Sequence, residues 1–194
     1  IMRNSTYHRL ENLYKKCKGY ISTRELLDEG FSNRQIAVLA EEKYLEKVCY
    51  GYYWLLQCGR KKPADYKCIE ASLSNPRAVI AMESACFYQG MLKEEPPFLA
   101  VATERADRSA MKMNFPVKRH YFSNPKFQVG MQEVQTEFGS YHMYDVERSF
   151  CDMARLGGKQ KEDRLAAEVL KALKANEKQY GRVLRYAEMF RLKL

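Results

Sequence analysis

The sequence predicts an α+β chain with two units. A winged helix-turn-helix occupies residues 1–58, a linker residues 59–65, and a mixed α/β unit with a small sheet and terminal helices residues 66–194. Three observations predict it. Ser22 with Glu25 and Ser32 with Gln35 are capping boxes, in which a hydroxyl takes a free helix N–H and the longer side chain reaches back. Aromatic and β-branched runs broken by Gly51 follow directly, the pattern of a hairpin. Later in the chain, short β-rich runs between turn residues give way to a closing stretch of helical periodicity.

Residues 4–18 read as the first helix, buried on Leu10, Leu13, Tyr14 and Cys17. Lys15, Lys16 and Lys18 gather at its C-terminal end, where the helix dipole favours cations. Tyr20-Ile21 is a short strand placed to pair with the hairpin. Leu26 and Leu27 form the apolar face of a two-turn helix that Gly30 closes. Ile36, Leu39 and Ala40 recur at i, i+3, i+4 and give the next helix its inner face. Short helix, glycine turn, second helix is a helix-turn-helix, and residues 46–50 and 52–55 supply the wing.

Residues 57–65 are polar and basic, with Gly59 and Pro63, and read as a linker. Its Arg60, Lys61 and Lys62 either follow a DNA backbone or are simply solvated. A helix over 66–73 is stopped by Ser74-Asn75-Pro76. Residues 77–91, with Val79, Ala81, Met82, Ala85 and Cys86, read as a largely buried helix that Gly90 closes. Strands are expected over 98–103, 117–122, 127–129, 133–137 and 141–144. Asp145 caps a helix lined by Val146, Phe150, Met153 and Ala154 and ended by Gly157-Gly158. Two helices close the chain, one on Leu165, Ala166, Val169, Leu170 and Leu173, the other on Val183, Leu184, Ala187 and Phe190.

Composition narrows the partners. A net charge of +9, from 33 basic and 24 acidic residues, favours a polyanion. No apolar run is long enough to span a membrane, and residues 1–6 lack the apolar stretch of a signal peptide. The six cysteines (17, 49, 58, 68, 86, 151) form no Cys-x-x-Cys pair and have no histidine at finger spacing. Neither metal nor cofactor is expected, and the chain reads as cytoplasmic.

The helix-turn-helix points to double-stranded DNA. Asn33, Arg34 and Gln35 stand in the first turn of the second helix, the part that meets base edges when such a helix enters the major groove. Arginine suits guanine, and asparagine or glutamine suits adenine. Ser22, Thr23 and Ser32 at the helix starts, Lys43 and Lys47 beside the hairpin, and Tyr50 and Tyr52 on it are candidate DNA contacts. Glu41 and Glu42 would have to point away from phosphate. A small helical unit used for protein contacts is the alternative.

These residues also carry a resemblance. The text Ser22-Thr23, Glu25-Leu26, Gly30-Phe31-Ser32, Tyr44-Leu45-Glu46-Lys47-Val48 and Gly51-Tyr52-Tyr53 is similar to the N-terminal domain of AbiEi-family antitoxins. The likeness continues through Ala78-Val79-Ile80, Ser84-Ala85, Gly90, Gly130 and the run from Tyr144 to Asp152, where Ser149 replaces the usual threonine. It covers nearly the whole chain, and the order and spacing of the motifs carry its weight. The resemblance implies a bacterial phage-defence role in a type IV toxin–antitoxin system. Such a protein represses its own operon through the winged helix. It also counters a nucleotidyltransferase-like toxin encoded beside it, without an obligatory tight complex. The basic C-terminal helices are then expected to contribute to neutralisation.

Catalytic patterns are weak. Asp145 and Asp152 would share a helix face and could bind a divalent ion. They equally fit an N-cap and an i, i+4 partner for Arg148, with Glu147 favoured in the first turn. Glu41-Glu42-Lys43 matches a nuclease text but lies in the helix-turn-helix. His8, His120 and His142 are scattered, and Gly157-Gly158-Lys159 lacks the context of a phosphate loop. The chain is not expected to be an enzyme. A nucleic-acid-processing enzyme delivered by its winged helix is the alternative function.

Overall fold

The computed structural model describes residues 3–157 and 160–194, an α+β fold of eight α-helices and two sheets. The first unit runs α1 (Asn4–Lys16), β1 (Tyr20–Ser22), α2 (Thr23–Asp28), α3 (Asn33–Glu41), β2 (Leu45–Cys49) and β3 (Tyr52–Leu55). Both capping boxes form. Ser22 Oγ accepts from Glu25 N and Ser32 Oγ from Gln35 N, each at 3.1 Å. In return, Glu25 and Gln35 accept from the N–H groups of Ser22 and Ser32 at 2.7 and 2.9 Å. These reciprocal bonds satisfy donors that a helix start otherwise leaves open, so both starts are set locally. Gly30 ends α2 at φ +93°, a conformation that costs glycine little.

One stripe of each helix is buried. Leu10 and Leu13 of α1, Leu26 of α2 and Ile36 and Leu39 of α3 meet around Phe31, Ile21, Leu45 and Leu55. Leu27, expected beside Leu26, is 42% exposed. Successive helical residues point about 100° apart, and a helix this short turns only one side inward. β3 lies between β1 and β2 in an antiparallel sheet. Tyr20 sits opposite Trp54 and Ile21 opposite Tyr53, as the expected strand pairing requires.

The second unit comprises α4 (Tyr66–Ser74), β4 (Val79–Ile80), α5 (Met82–Tyr88), β5 (Leu99–Glu104) and β6 (Val117–Phe122). A 3-10 turn (Lys126–Gln128), β7 (Met131–Thr136), β8 (Gly139–Tyr144), α6 (Val146–Leu156), α7 (Gln160–Lys174) and α8 (Glu177–Met189) follow. The sheet order is β6-β5-β4-β8-β7, with the β5–β6 and β4–β8 pairs parallel. Alternation along the strands sorts side chains between two cores. Val79, Ala100, Ala102 and Tyr144 pack with α5 to α8 on one face. Ile80, Leu99, Val101, Tyr141 and Met143 pack on the other, with α4 residues Cys68, Ile69 and Ala71.

Two expected elements differ. Val79-Ile80, read as part of a helix over 77–91, forms the central strand, and the helix begins only at Met82. A strand buried on both faces is a continuous apolar run, and two residues show no alternation by which to separate it from a buried helix. The strand expected over 127–129 is replaced by the 3-10 turn, which buries Phe127 alone. Gly157 caps α6 as expected; Gly158 and Lys159 lie outside the described residues.

The linker is tied down. Val48, Cys49 and Trp54 pack with Tyr20, Leu73, Met113 and Phe138, joining the units across the sheet of the first. Lys62 Nζ lies 2.8 Å from Glu70 Oε2 and 3.1 Å from Glu46 Oε1, and the Tyr20 hydroxyl donates to Glu70 at 2.7 Å. Glu70 is buried, and a buried carboxylate demands partners. That demand draws one lysine of the expected solvated triplet inward. Burial still holds the Glu70 carboxyl above its usual range, against the lowering by Lys62 and Tyr20. Arg60 Nη1 donates to Lys18 O at 3.2 Å, and Lys61 stays exposed.

Candidate nucleic-acid interface

The capping box at Ser32 points the first turn of α3 outward. Asn33 and Arg34 are exposed there. Arg34 shares with Arg3 and Arg9 of the α1 region a groove of about 420 Å³ that also touches Gln35, Val38 and Glu42. Arg9 is held by the fold: its guanidinium sits 5.2 Å from the Phe31 ring centroid, and its Nη1 donates to Gly30 O at 2.8 Å. Gln35 is half-buried, and both ends of its amide make bonds within the unit. The oxygen accepts from Ser32 N, and Nε2 donates to Thr6 Oγ1 at 3.4 Å. Gln35, expected to contact a base, thus also helps to position the start of α3.

At the far end of α3, Tyr7 donates its hydroxyl to Glu42 Oε2 at 2.8 Å, and that carboxylate raises the phenol above its usual value. The bond ties Glu42 to α1. Glu41 remains exposed. Lys43 follows in the left-handed region at φ +65°, exposed, with its carbonyl accepting from Gln57 Nε2 at 3.0 Å.

The start of α2 is less open than expected. Ser22 N is taken by Glu25, Thr23 N donates to Gly51 O at 2.9 Å, and Glu25 N is taken by the Ser22 hydroxyl. The bond to Gly51 fixes the hairpin turn against the helix start. With those amides filled and the Glu25 carboxylate beside them, Ser22 and Thr23 do not form a bare anion site. What they retain toward solvent is hydroxyl character alone.

The hairpin carries the opposite arrangement. Tyr50 at its tip is 92% exposed, beside exposed Lys47. Asn114 Nδ2 donates to Lys47 O at 2.7 Å, and Lys112 from the same loop joins Lys47 and Tyr50 around a recess of about 350 Å³. Tyr52 was expected to contact DNA. It is half-buried against Val48, Cys49 and Trp54, on the face that meets the second unit. Alternation along β3 decides this, because Tyr52 and Trp54 share one face and that face is covered.

Sequence reasoning missed Arg3, Arg9 and Lys112. Arg3 and Arg9 fall outside any motif, and only the packing of α1 beside α3 brings them to Arg34. Lys112 reaches the hairpin across a loop whose position depends on the second unit.

The acidic run of the second unit is internal. Asp145 Oδ1 accepts from Arg148 N at 2.7 Å as the N-cap of α6, and its Oδ2 accepts from Tyr186 Oη at 2.8 Å. Asp152 lies between Arg148 Nε at 2.9 Å and Arg155 Nη2 at 2.8 Å. Glu147 faces Arg182 at 3.7 Å, and Ser149 Oγ donates to Asp145 O at 2.8 Å. Among the described residues, no group of three or more His, Cys, Asp or Glu side chains is placed to hold a metal ion. The described residues also contain no helix long and apolar enough to cross a membrane. All six cysteines are free thiols.

No protein-family model matches the chain, and no curated protein matches it. Its fold is similar to the crystal structure of the RV2827C protein from Mycobacterium tuberculosis, with a TM-score of 0.61 and 14% identity. The match covers 79% of this chain and 61% of that one, so the chain spans about three fifths of that protein's length. At this identity the likeness concerns the fold alone.

Proposed function

We propose that the first unit is a winged helix that binds double-stranded DNA at the protein's own promoter. On this reading α3 is the recognition helix, and the β2–β3 hairpin is the wing. The carrying observation is that the exposed first turn of α3, with Asn33 and Arg34, opens onto a groove lined by Arg3 and Arg9. Arg34 and Asn33 read base edges, while Lys43, Lys47 and Tyr50, with Arg3 added from α1, hold the backbone. The order of three helices and three strands, and the net charge of +9, support the same reading. Tyr52, Gln35 and the amides of Ser22 and Thr23 position these elements.

The resemblance to AbiEi-family antitoxins extends the proposal. The protein is an autorepressor that also counters a nucleotidyltransferase-like toxin encoded beside it, and the helices from Arg155 to the C-terminus contribute to neutralisation. The test is a salt titration of binding to the DNA just upstream of its gene, beside a scrambled duplex. A preference of about a thousandfold is expected, within the usual span for specific sites. Equal, salt-steep binding to both would overturn the promoter assignment. Coexpression of the full chain with the neighbouring toxin tests the second role: unrelieved toxicity would sink it.

A further inference from the structure

The second unit contains a cleft of about 580 Å³ that the DNA reading does not use. It lies between the ends of β5 and β6, the loop that follows β6, α6 and Phe190 beyond α8. Four permanent cations line it: Arg105, Lys126, Arg148 and Arg155. Phe122 and Phe190 bring aromatic rings to it, while Tyr121, the next residue on β6, turns its ring to the opposite sheet face against Arg108 and Arg119.

The cationic floor is built rather than incidental. Arg148 is 1% exposed, with Nε bonded to Asp152 and Nη1 donating to the carbonyls of Lys126 and Val129 at 2.7 and 2.8 Å. Its guanidinium lies 4.2 Å from the Tyr144 ring centroid and 4.4 Å from that of Phe190. Arg155 shares Asp152 and lies 5.3 Å from the Phe190 ring centroid, with a side chain still 34% exposed. Lys126 Nζ donates to Met189 O at 2.7 Å, and Arg105 is exposed at the rim.

Asp152, shared by Arg148 and Arg155, does not itself line the cleft. Among the described residues the cleft is lined by these four cations and by no carboxylate. A cleft lined by one sign of charge favours an anion. Guanidinium groups match phosphate with two parallel donors, and aromatic side chains beside them favour a planar aromatic partner. The volume falls within the range of about 300–1,000 Å³ common to small-ligand sites.

We propose that this cleft binds a nucleoside phosphate. The phosphate group meets Arg105 and Arg155, and the base lies on the side of the cleft formed by Phe122 and Phe190. Arg148 acts as a positioning residue, holding the Asp152–Arg155 pair and the Phe190 ring in place. Every lining residue belongs to the second unit, so the site is separable from the α3 face.

Isothermal titration calorimetry on the full chain tests this with AMP, ADP, ATP and GTP, beside inorganic phosphate and pyrophosphate. One saturable nucleotide site per chain is expected, at least about tenfold tighter than for either inorganic anion. Arg105→Ala, at an exposed position, should weaken it by at least about tenfold with an unchanged melting temperature, and Arg34→Ala should leave it unaltered. Absence of saturation by any nucleotide at about 1 mM, a free energy of only about −4 kcal/mol, would overturn the proposal. Equal affinity for pyrophosphate would overturn the base contact and leave a phosphate site. Loss through Arg34→Ala with none through Arg105→Ala would place the ligand on the DNA face and overturn the assignment.

Discussion

Two arginines in this molecule do opposite work. Arg34 stands exposed on the first turn of α3, whereas Arg148 is buried in α6 with a carboxylate, two carbonyls and three aromatic rings around it. Both sit two or three residues after a capping side chain, Ser32 and Asp145. Local sequence therefore starts their helices in the same way. What separates them is the surroundings. The α3 face leaves guanidinium groups toward solvent, available to a polyanion, while α6 consumes its arginine internally. The lesson is that a motif locates a charged residue along an element, and burial then decides whether the charge serves stability or recognition.

The contrast can be broken most forcefully at Arg148. Replacing it by methionine leaves Asp152 buried with Arg155 alone, takes the guanidinium donor from Val129 O and leaves Lys126 O only the Val129 N–H. A loss of about 3–5 kcal/mol is expected by urea denaturation. Arg148→Lys should recover only part, since an ammonium cannot reproduce the fork. A loss below about 1 kcal/mol would show the pair to be no more than a surface contact.

Arg34→Ala should do the reverse. Stability is expected to stay within about 0.5 kcal/mol, as for an ordinary surface change. Discrimination between promoter and scrambled DNA should fall by about 1–3 kcal/mol. Equal weakening on both duplexes would remove Arg34 from base reading.

A pH titration sharpens the same comparison. Burial raises the Asp145 carboxyl above its usual value, against the lowering by Arg148 N–H and the Tyr186 hydroxyl. The native state then binds the proton more tightly than the unfolded chain does. Stability should fall as pH rises from the ordinary aspartate range through the raised value, and level off above it. Asp145→Asn, which keeps a capping side chain, should reduce that slope. An unchanged slope in denaturation curves across acid pH would assign it to other groups, Glu70 first among them.

The smallest effect is expected at the hairpin. Lys47→Ala should weaken specific and scrambled DNA alike and flatten the salt dependence by about one unit. An unchanged slope would take Lys47 off the DNA side and leave its role to the carbonyl contact with Asn114.

Legibility followed the range of the interactions. Ser22 with Glu25, Ser32 with Gln35, and Asp145 with the Arg148 amide act within one helical turn, so residue order alone located three helix starts correctly. The hairpin at Gly51 and the pairing of Tyr20-Ile21 with it were equally readable, because alternation and a glycine turn are short-range signals. Val79-Ile80 was not, since a two-residue central strand carries no period and is made a strand by its neighbours β5 and β8. Of the candidate DNA contacts, Ser32, Asn33, Arg34, Lys43, Lys47 and Tyr50 are exposed; Ser22 and Thr23 are half-buried, as are Tyr52 and Gln35. The latter two turn inward because the second unit covers one face of β3 and α1 offers Thr6 beside α3.

The sequence by itself determined where α2, α3 and α6 begin, where the hairpin turns, and that the chain carries excess positive charge. These depend on hydrogen bonds and backbone preferences a few residues long. Tertiary structure alone decided that Lys62 leaves the linker for Glu70, that Arg3 and Arg9 join Arg34, and that Arg105, Lys126 and Arg155 meet around one cleft. Each of these joins residues far apart in the chain. Their energies come from desolvation and from charge placed in a shared cavity, quantities that exist only once the elements have packed.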